Sequence, residues 1–144
     1  MRIWPAFALA TAAFACASPR RAVHSDQAPA PIGPYSQAIA RGDFVFVSGQ
    51  IGLDPASGEL VAGGIEAQTE RVLANLRAVL AAEKLDFDDV VMVQVYLLDL
   101  AEFQKFNAVY AKAVGKSAPA RATVQVAALP KGARVEVQCT AMRP

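Results

Sequence analysis

Arg121 and Glu136 are the side chains of this 144-residue chain best suited to chemistry on a small organic acid. The arginine lies in Pro119-Ala120-Arg121-Ala122-Thr123-Val124-Gln125-Val126, and the glutamate in Val135-Glu136-Val137. A guanidinium presents five N–H donors in a fixed fork and keeps its proton in proteins, so it grips a carboxylate through two parallel hydrogen bonds. A carboxylate close by can steer a water or a proton. Side chains alternate along a strand, which puts Arg121, Thr123 and Gln125 on one face and sets Glu136 and Gln138 opposite Val135 and Val137. If the two strands pair through Leu129-Pro130-Lys131-Gly132, their polar faces meet at a cleft. On residue types alone the same pair also reads as a structural ion pair on an exposed sheet face, the commoner use of opposite charges.

The elements that must position these groups are legible from periodicity. Phe44-Val45-Phe46-Val47 is a β-prone run ended by Ser48-Gly49, and Leu53 to Gly58 supplies turn chemistry. Val72, Leu76, Val79 and Leu80 recur at helical spacing, so the pattern predicts an amphipathic helix over Ile65 to Ala82 beginning at Gly63-Gly64. Val90 to Leu98 is nearly continuous in apolar and β-branched residues, as in a strand buried on both faces or at an interface. Asp99 and Glu102 are spaced as a capping box for a second helix, with Leu98 and Phe103 as its staple and Phe103, Phe106, Tyr110 and Val114 on its buried face. Asn107 falls on that apolar face and needs partners there; it either ties a loop to the helix or lines the site. The last third is two strands, Ala122 to Ala128 and Arg134 to Met142, joined by a Pro/Gly turn. The order β, α, β, α, β, β fits one mixed sheet with two helices on one face.

Four segments in order, Ile32-Gly33-Pro34-Tyr35-Ser36-Gln37, Val47-Ser48-Gly49-Gln50-Ile51, the Pro119-Ala120-Arg121 run and Val135-Glu136-Val137, resemble the RidA/YjgF family of imine deaminases. The resemblance runs from about Ala28 to the C-terminus. It implies an α+β, chorismate-mutase-like fold assembled as a homotrimer with sites at subunit interfaces, acting on small imino acids. It also implies roles: Arg121 for the substrate carboxylate, Glu136 for the water, and Tyr35 as an aromatic wall, and the family commonly has asparagine at Asn107. Ser48 and Gly49 either present a hydroxyl and a backbone group to the pocket or simply end the strand, and Thr123 is expected to line the same pocket. Thr123 stands where the family often has cysteine, so no proposal that needs a thiol there applies. The reaction implied is hydrolysis of a 2-imino acid to a 2-keto acid and ammonia, which requires neither metal nor organic cofactor.

Composition bounds the alternatives. A chain 54% hydrophobic and 19% charged fits a single globular domain, and its formal charge of +1 carries no footprint for nucleic acid or an anionic membrane. A ribonuclease activity, attributed to some members of the family, fits poorly, because the lone histidine, His24, has no partner for phosphoryl chemistry. A non-catalytic trimer that binds small carboxylates or protects other proteins is the reading from a different class.

Residues 1–17 form an alanine-rich run after Arg2 and read as a secretory signal, with small residues at Ala13-Phe14-Ala15 and Ala15-Cys16-Ala17. Cys16 after Ala-Phe-Ala also resembles a lipoprotein cleavage site, the one route to a membrane this sequence offers. Residues 18–31 are polar and proline-rich and read as a flexible leader holding His24, followed by the domain over 32–144. The expected location is therefore periplasmic or secreted, or cytoplasmic if the run is not a signal. Cys139 lies in a strand pattern and reads as a small core residue.

Overall fold

The structure, a computed structural model, describes residues 18–115 and 118–144. Among these residues a six-stranded mixed sheet runs in the order β1-β2-β3-β6-β4-β5, with β1 at Arg21–Val23, β2 at Ala38–Arg41, β3 at Phe44–Ile51, β4 at Val90–Leu97, β5 at Ala120–Gln125 and β6 at Val135–Met142. Two helices, α1 at Gly64–Ala81 and α2 at Phe103–Tyr110, pack against each other, with α1 also on β3 and β6. All neighbouring strands are antiparallel except β4 and β5. This is the expected mixed sheet with two helices on one face.

Period-two alternation decides which face the helices cover. In β6, Val135, Val137, Cys139 and Ala141 are buried and the residues between them are not. Val45, Val47, Val93, Val95 and Leu97 point the same way and meet Val72, Leu76, Val79 and Leu80 of α1 and Phe106 of α2 in one core. Each such side chain taken fully out of water contributes about 1.5–3 kcal/mol. Among the described residues the other face has no helix on it, and Phe44, Phe46, Met92, Val124 and Met142 lie exposed there or at its edge.

Helix α1 starts where the glycine pair predicts, because Gly63 at φ 109° turns the chain through a conformation that other residues resist. Two of its buried polar residues tie the sheet down. Asn75 donates Nδ2 to the carbonyls of Ile51 (3.3 Å) and Leu53 (3.0 Å), and Gln68 Oε1 accepts from the Arg134 amide at 2.8 Å. The end of β3 and the start of β6 are thus fixed to the same helix.

Three expectations need correction. The segment 18–31 carries β1, and its following turn is held by the buried Gln37, which accepts from Ser25 N and donates to the Ser25 and Pro29 carbonyls. Val23 and Ala28 join the core. Polar, proline-rich composition suggested a leader, but a few buried side chains and one amide network are enough to order it. Second, Asp99 accepts from Ala101 N and caps a short 3-10 turn over Leu100–Glu102, while Glu102 turns to Arg134 in a bidentate ion pair instead of closing a capping box. A capping box does form, at Asp86 and Asp89. Third, β5 and β6 do not pair: β4 lies between them, so the last two strands are not a hairpin. The run 1–17 lies outside the described residues.

Candidate active site

Glu136 sits mid-way in the sheet on central β6, opposite Ile51 of β3 and Tyr96 of β4, on the face the helices leave open. Its surroundings are made by a bulge. The register of β3 against β6 slips by one residue between Val47 and Gln50, so Ser48 and Gly49 together face one residue of β6. The bulge brings the Gly49 backbone under the Glu136 side chain, and a β-carbon there would lie 2.8 Å from Glu136 Cδ and 3.1 Å from Cγ. Glycine at 49 thus leaves the Glu136 carboxylate its place, and no backbone angle demands it there.

The loop before β2 completes this pocket. Tyr35 OH accepts from the Ile32 amide at 3.2 Å, and Ser48 Oγ donates to the Ser36 carbonyl at 2.7 Å, so loop and bulge hold one another. Together Ile32, Tyr35, Ser48, Gly49, Ile51, Pro130 and Glu136 line an open cavity of about 240 Å³. Among the described residues the Glu136 carboxylate has no hydrogen-bond or ion-pair partner, and burial raises its pKa above the ordinary value. A carboxyl group so placed holds its proton more readily than one in water and can pass it on.

Arg121 is elsewhere. Its neighbour in register is Val93, a core residue, so it points to the helix-covered side of the sheet at the β5 edge. There its guanidinium lies over three rings of α2, at 4.7 Å from the Tyr110 centroid and 5.7 Å from those of Phe103 and Phe106. No carboxylate pairs with it among the described residues. Thr123, two residues on, shares its face, and Asn107 shares the helical stripe of Phe103 and Tyr110. Two buried hydroxyl oxygens here, Tyr110 Oη and Thr123 Oγ1, have no hydrogen-bond partner among the described residues.

The sequence-derived residues therefore fall into two groups on opposite faces. Tyr35, Ser48, Gly49 and Glu136 come together; Arg121, Thr123 and Asn107 gather at the β5–α2 edge. Within one chain the cleft expected between Arg121 and Glu136 does not form, and they are not an ion pair either. Asn107 is half-buried rather than buried, and its side chain ties down no loop among the described residues. Ile32, Ile51 and Pro130 belong to the pocket and carried no chemical signal in the sequence; the aromatic bed under Arg121 was visible only as a helix's buried face. Cys139, its thiol pushed up to about 12 by burial, is no nucleophile. Among the described residues no three His, Cys, Asp or Glu side chains gather as a metal-ligand set.

Comparison with known proteins gives consistent matches. A family model described as Endoribonuclease L-PSP matches residues 25–143. The chain is 54% identical over 125 residues to Protein DfrA of Myxococcus xanthus, covering 85% of this chain and 95% of that one. It is 46% identical over 124 residues to the 2-iminobutanoate/2-iminopropanoate deaminase of Capra hircus, covering 86% and 90%. The crystal structure of RidA from the Antarctic bacterium Psychrobacter sp. PAMC 21119 superposes with a TM-score of 0.82 at 43% identity, covering 85% and 98%.

Proposed function

We infer the activity of this chain from its membership of a family: it belongs to the endoribonuclease L-PSP family, the RidA/YjgF proteins. It hydrolyses reactive 2-imino acids of the 2-iminopropanoate and 2-iminobutanoate type to 2-keto acids and ammonia, as the similar deaminases are named to do.

Arg121 binds the substrate carboxylate through two N–H donors. Glu136 holds a water against the imine carbon and takes its proton as the new C–O bond forms. The same carboxyl returns that proton to nitrogen to give an amino alcohol, then takes the hydroxyl proton and passes it to nitrogen, so that the C–N bond breaks and ammonia leaves as the carbonyl closes. Fixing both reactants is the main gain, because free imines already react with water and the site has only to align them. Tyr35, Ser48 and Gly49 wall the Glu136 side, and Thr123 and Asn107 the Arg121 side.

The observation that carries this reading further is the separation of Arg121 from Glu136 on opposite faces of one sheet. The active protein is a homotrimer in which Arg121 of one subunit meets Glu136 of the next. An open sheet face bearing Phe46 (50% exposed), Val124 (47%) and Met92 (43%) supports the assembly, since monomers rarely leave such patches uncovered. Mixing denatured Arg121→Ala and Glu136→Ala chains and refolding them together tests both statements at once. Each variant alone is inactive; the mixture regains decay of 2-iminopropanoate because some sites take both intact residues. No recovery in trimers verified by light scattering would overturn the shared site, and a wild-type protein that leaves imine decay unchanged would overturn the deaminase reading.

The protein acts outside the cytoplasm, a proposal resting on the alanine-rich run of residues 1–17, which precedes the family match. Cell fractionation with a C-terminal tag tests it: a purely cytoplasmic, full-length product would refute it.

A further inference from the structure

We propose that Tyr110 is a positioning residue for the carboxylate-binding arginine, acting through its ring and not its hydroxyl. The proposal rests on the role assigned above to Arg121. A half-buried guanidinium ordinarily takes a carboxylate partner, because a charge removed from water without compensation is costly. Here that partner is absent among the described residues, and three π faces take its place, with Tyr110 nearest at 4.7 Å. The choice has a chemical consequence. A carboxylate would occupy the guanidinium's N–H fork and compete with substrate, whereas an aromatic face holds the cation by its quadrupole and leaves the fork free.

The geometry makes Tyr110 the residue that sets the plane. Its ring stacks on Phe106, with centroids 5.3 Å apart and an interplanar angle of 26°, and it is 5% exposed, so the surrounding core fixes it. Its hydroxyl makes no hydrogen bond of ordinary geometry among the described residues, although Arg121 lies near enough to act on it weakly. Burial raises the hydroxyl's pKa while the Arg121 charge opposes that shift, so it stays neutral and places no anion beside the guanidinium.

The test measures 2-oxobutanoate binding by titration calorimetry and 2-iminopropanoate turnover in wild type, Tyr110→Phe, Tyr110→Leu and Arg121→Ala. Tyr110→Phe should keep Kd and KM within about twofold of wild type, since the ring remains. Tyr110→Leu should raise both about tenfold with kcat little changed, the size expected for losing one desolvated cation–π contact. Arg121→Ala sets the floor of the titration, with no 2-oxobutanoate binding above background. Equal Kd in wild type and Tyr110→Leu, or an equal loss in Tyr110→Phe, would each overturn the proposal. Should Tyr110→Leu fail to fold, Phe103→Leu at the rim of the same bed replaces it, with a two- to fivefold rise in Kd expected and no rise refuting. Wild-type protein that binds no 2-oxobutanoate and accelerates no imine decay would remove the underlying reading instead.

Discussion

Gly49→Ala separates a steric account of the Glu136 pocket from a merely structural one. The added methyl would lie 2.8 Å from Glu136 Cδ and 3.1 Å from Cγ, and closer still to Oε1. Reaching the near end of carbon–carbon contact, about 3.5 Å, requires Cδ to retreat by roughly 0.7 Å, and the oxygen by more. What must move is the free end of a flexible side chain with no partner among the described residues, and Gly49 is not at a positive φ, so the fold loses little, on the order of 1 kcal/mol for a strained rotamer. Catalysis loses more, because a misplacement of about 1 Å between reacting groups can cost roughly 10²-fold. The expected result is a kcat/KM for 2-iminopropanoate about 10²-fold lower with a near-normal melting temperature. In a Glu136→Ala background, itself inactive, nothing stands in the way of the methyl, so the double variant should melt where Glu136→Ala does. Wild-type kcat/KM in Gly49→Ala would refute the collision. So would an equal drop in melting temperature with and without Glu136, which would point to the bulge backbone instead.

Three further outcomes are expected. Arg121→Lys keeps the charge but loses the fork, so kcat/KM should fall roughly 10- to 100-fold, measured against wild type in the coupled-oxidase assay, and full activity would refute two-pronged binding. Burial raises the Glu136 pKa, so the rising acid limb of the kcat/KM profile should lie above the ordinary carboxylate range and vanish in Glu136→Gln; the same shift means that stability falls as pH rises from the unfolded to the folded pKa. The Glu83 side chain, only 6% exposed, accepts from Arg21 and Arg143 on one oxygen, both at 2.6 Å, and its pKa is lowered chiefly by the Arg21 hydrogen bond. Its contribution is full above the unfolded pKa and lost as pH falls toward the folded one. Glu83→Gln should therefore cost about 1 kcal/mol at neutral pH, allowing for solvent around the arginines, and the difference from wild type should shrink in acid, as read by thermal melts.

The chain's own letters settle the two helices and the long strands, because burial of one face imposes periods of 3.6 and 2 that survive without knowledge of what the face touches. They also settle the kinds of side chain available: a forked cation at Arg121, a carboxylate at Glu136, and a glycine at 49. What they leave open is partnership. A strand's alternation says which residues share a face but not which strand lies beside it or in what register, and pairing through β4 sets Arg121 level with core-facing Val93 and Glu136 level with Tyr96, on opposite sides of the sheet. The same limit hid β1, where ordering depends on Gln37 reaching across from another segment, and misdirected Glu102, whose better partner, Arg134, is thirty-two residues away. Local sequence determines conformations of short range; contacts between distant segments arise only when a whole core closes, and the site of this protein is made of such contacts.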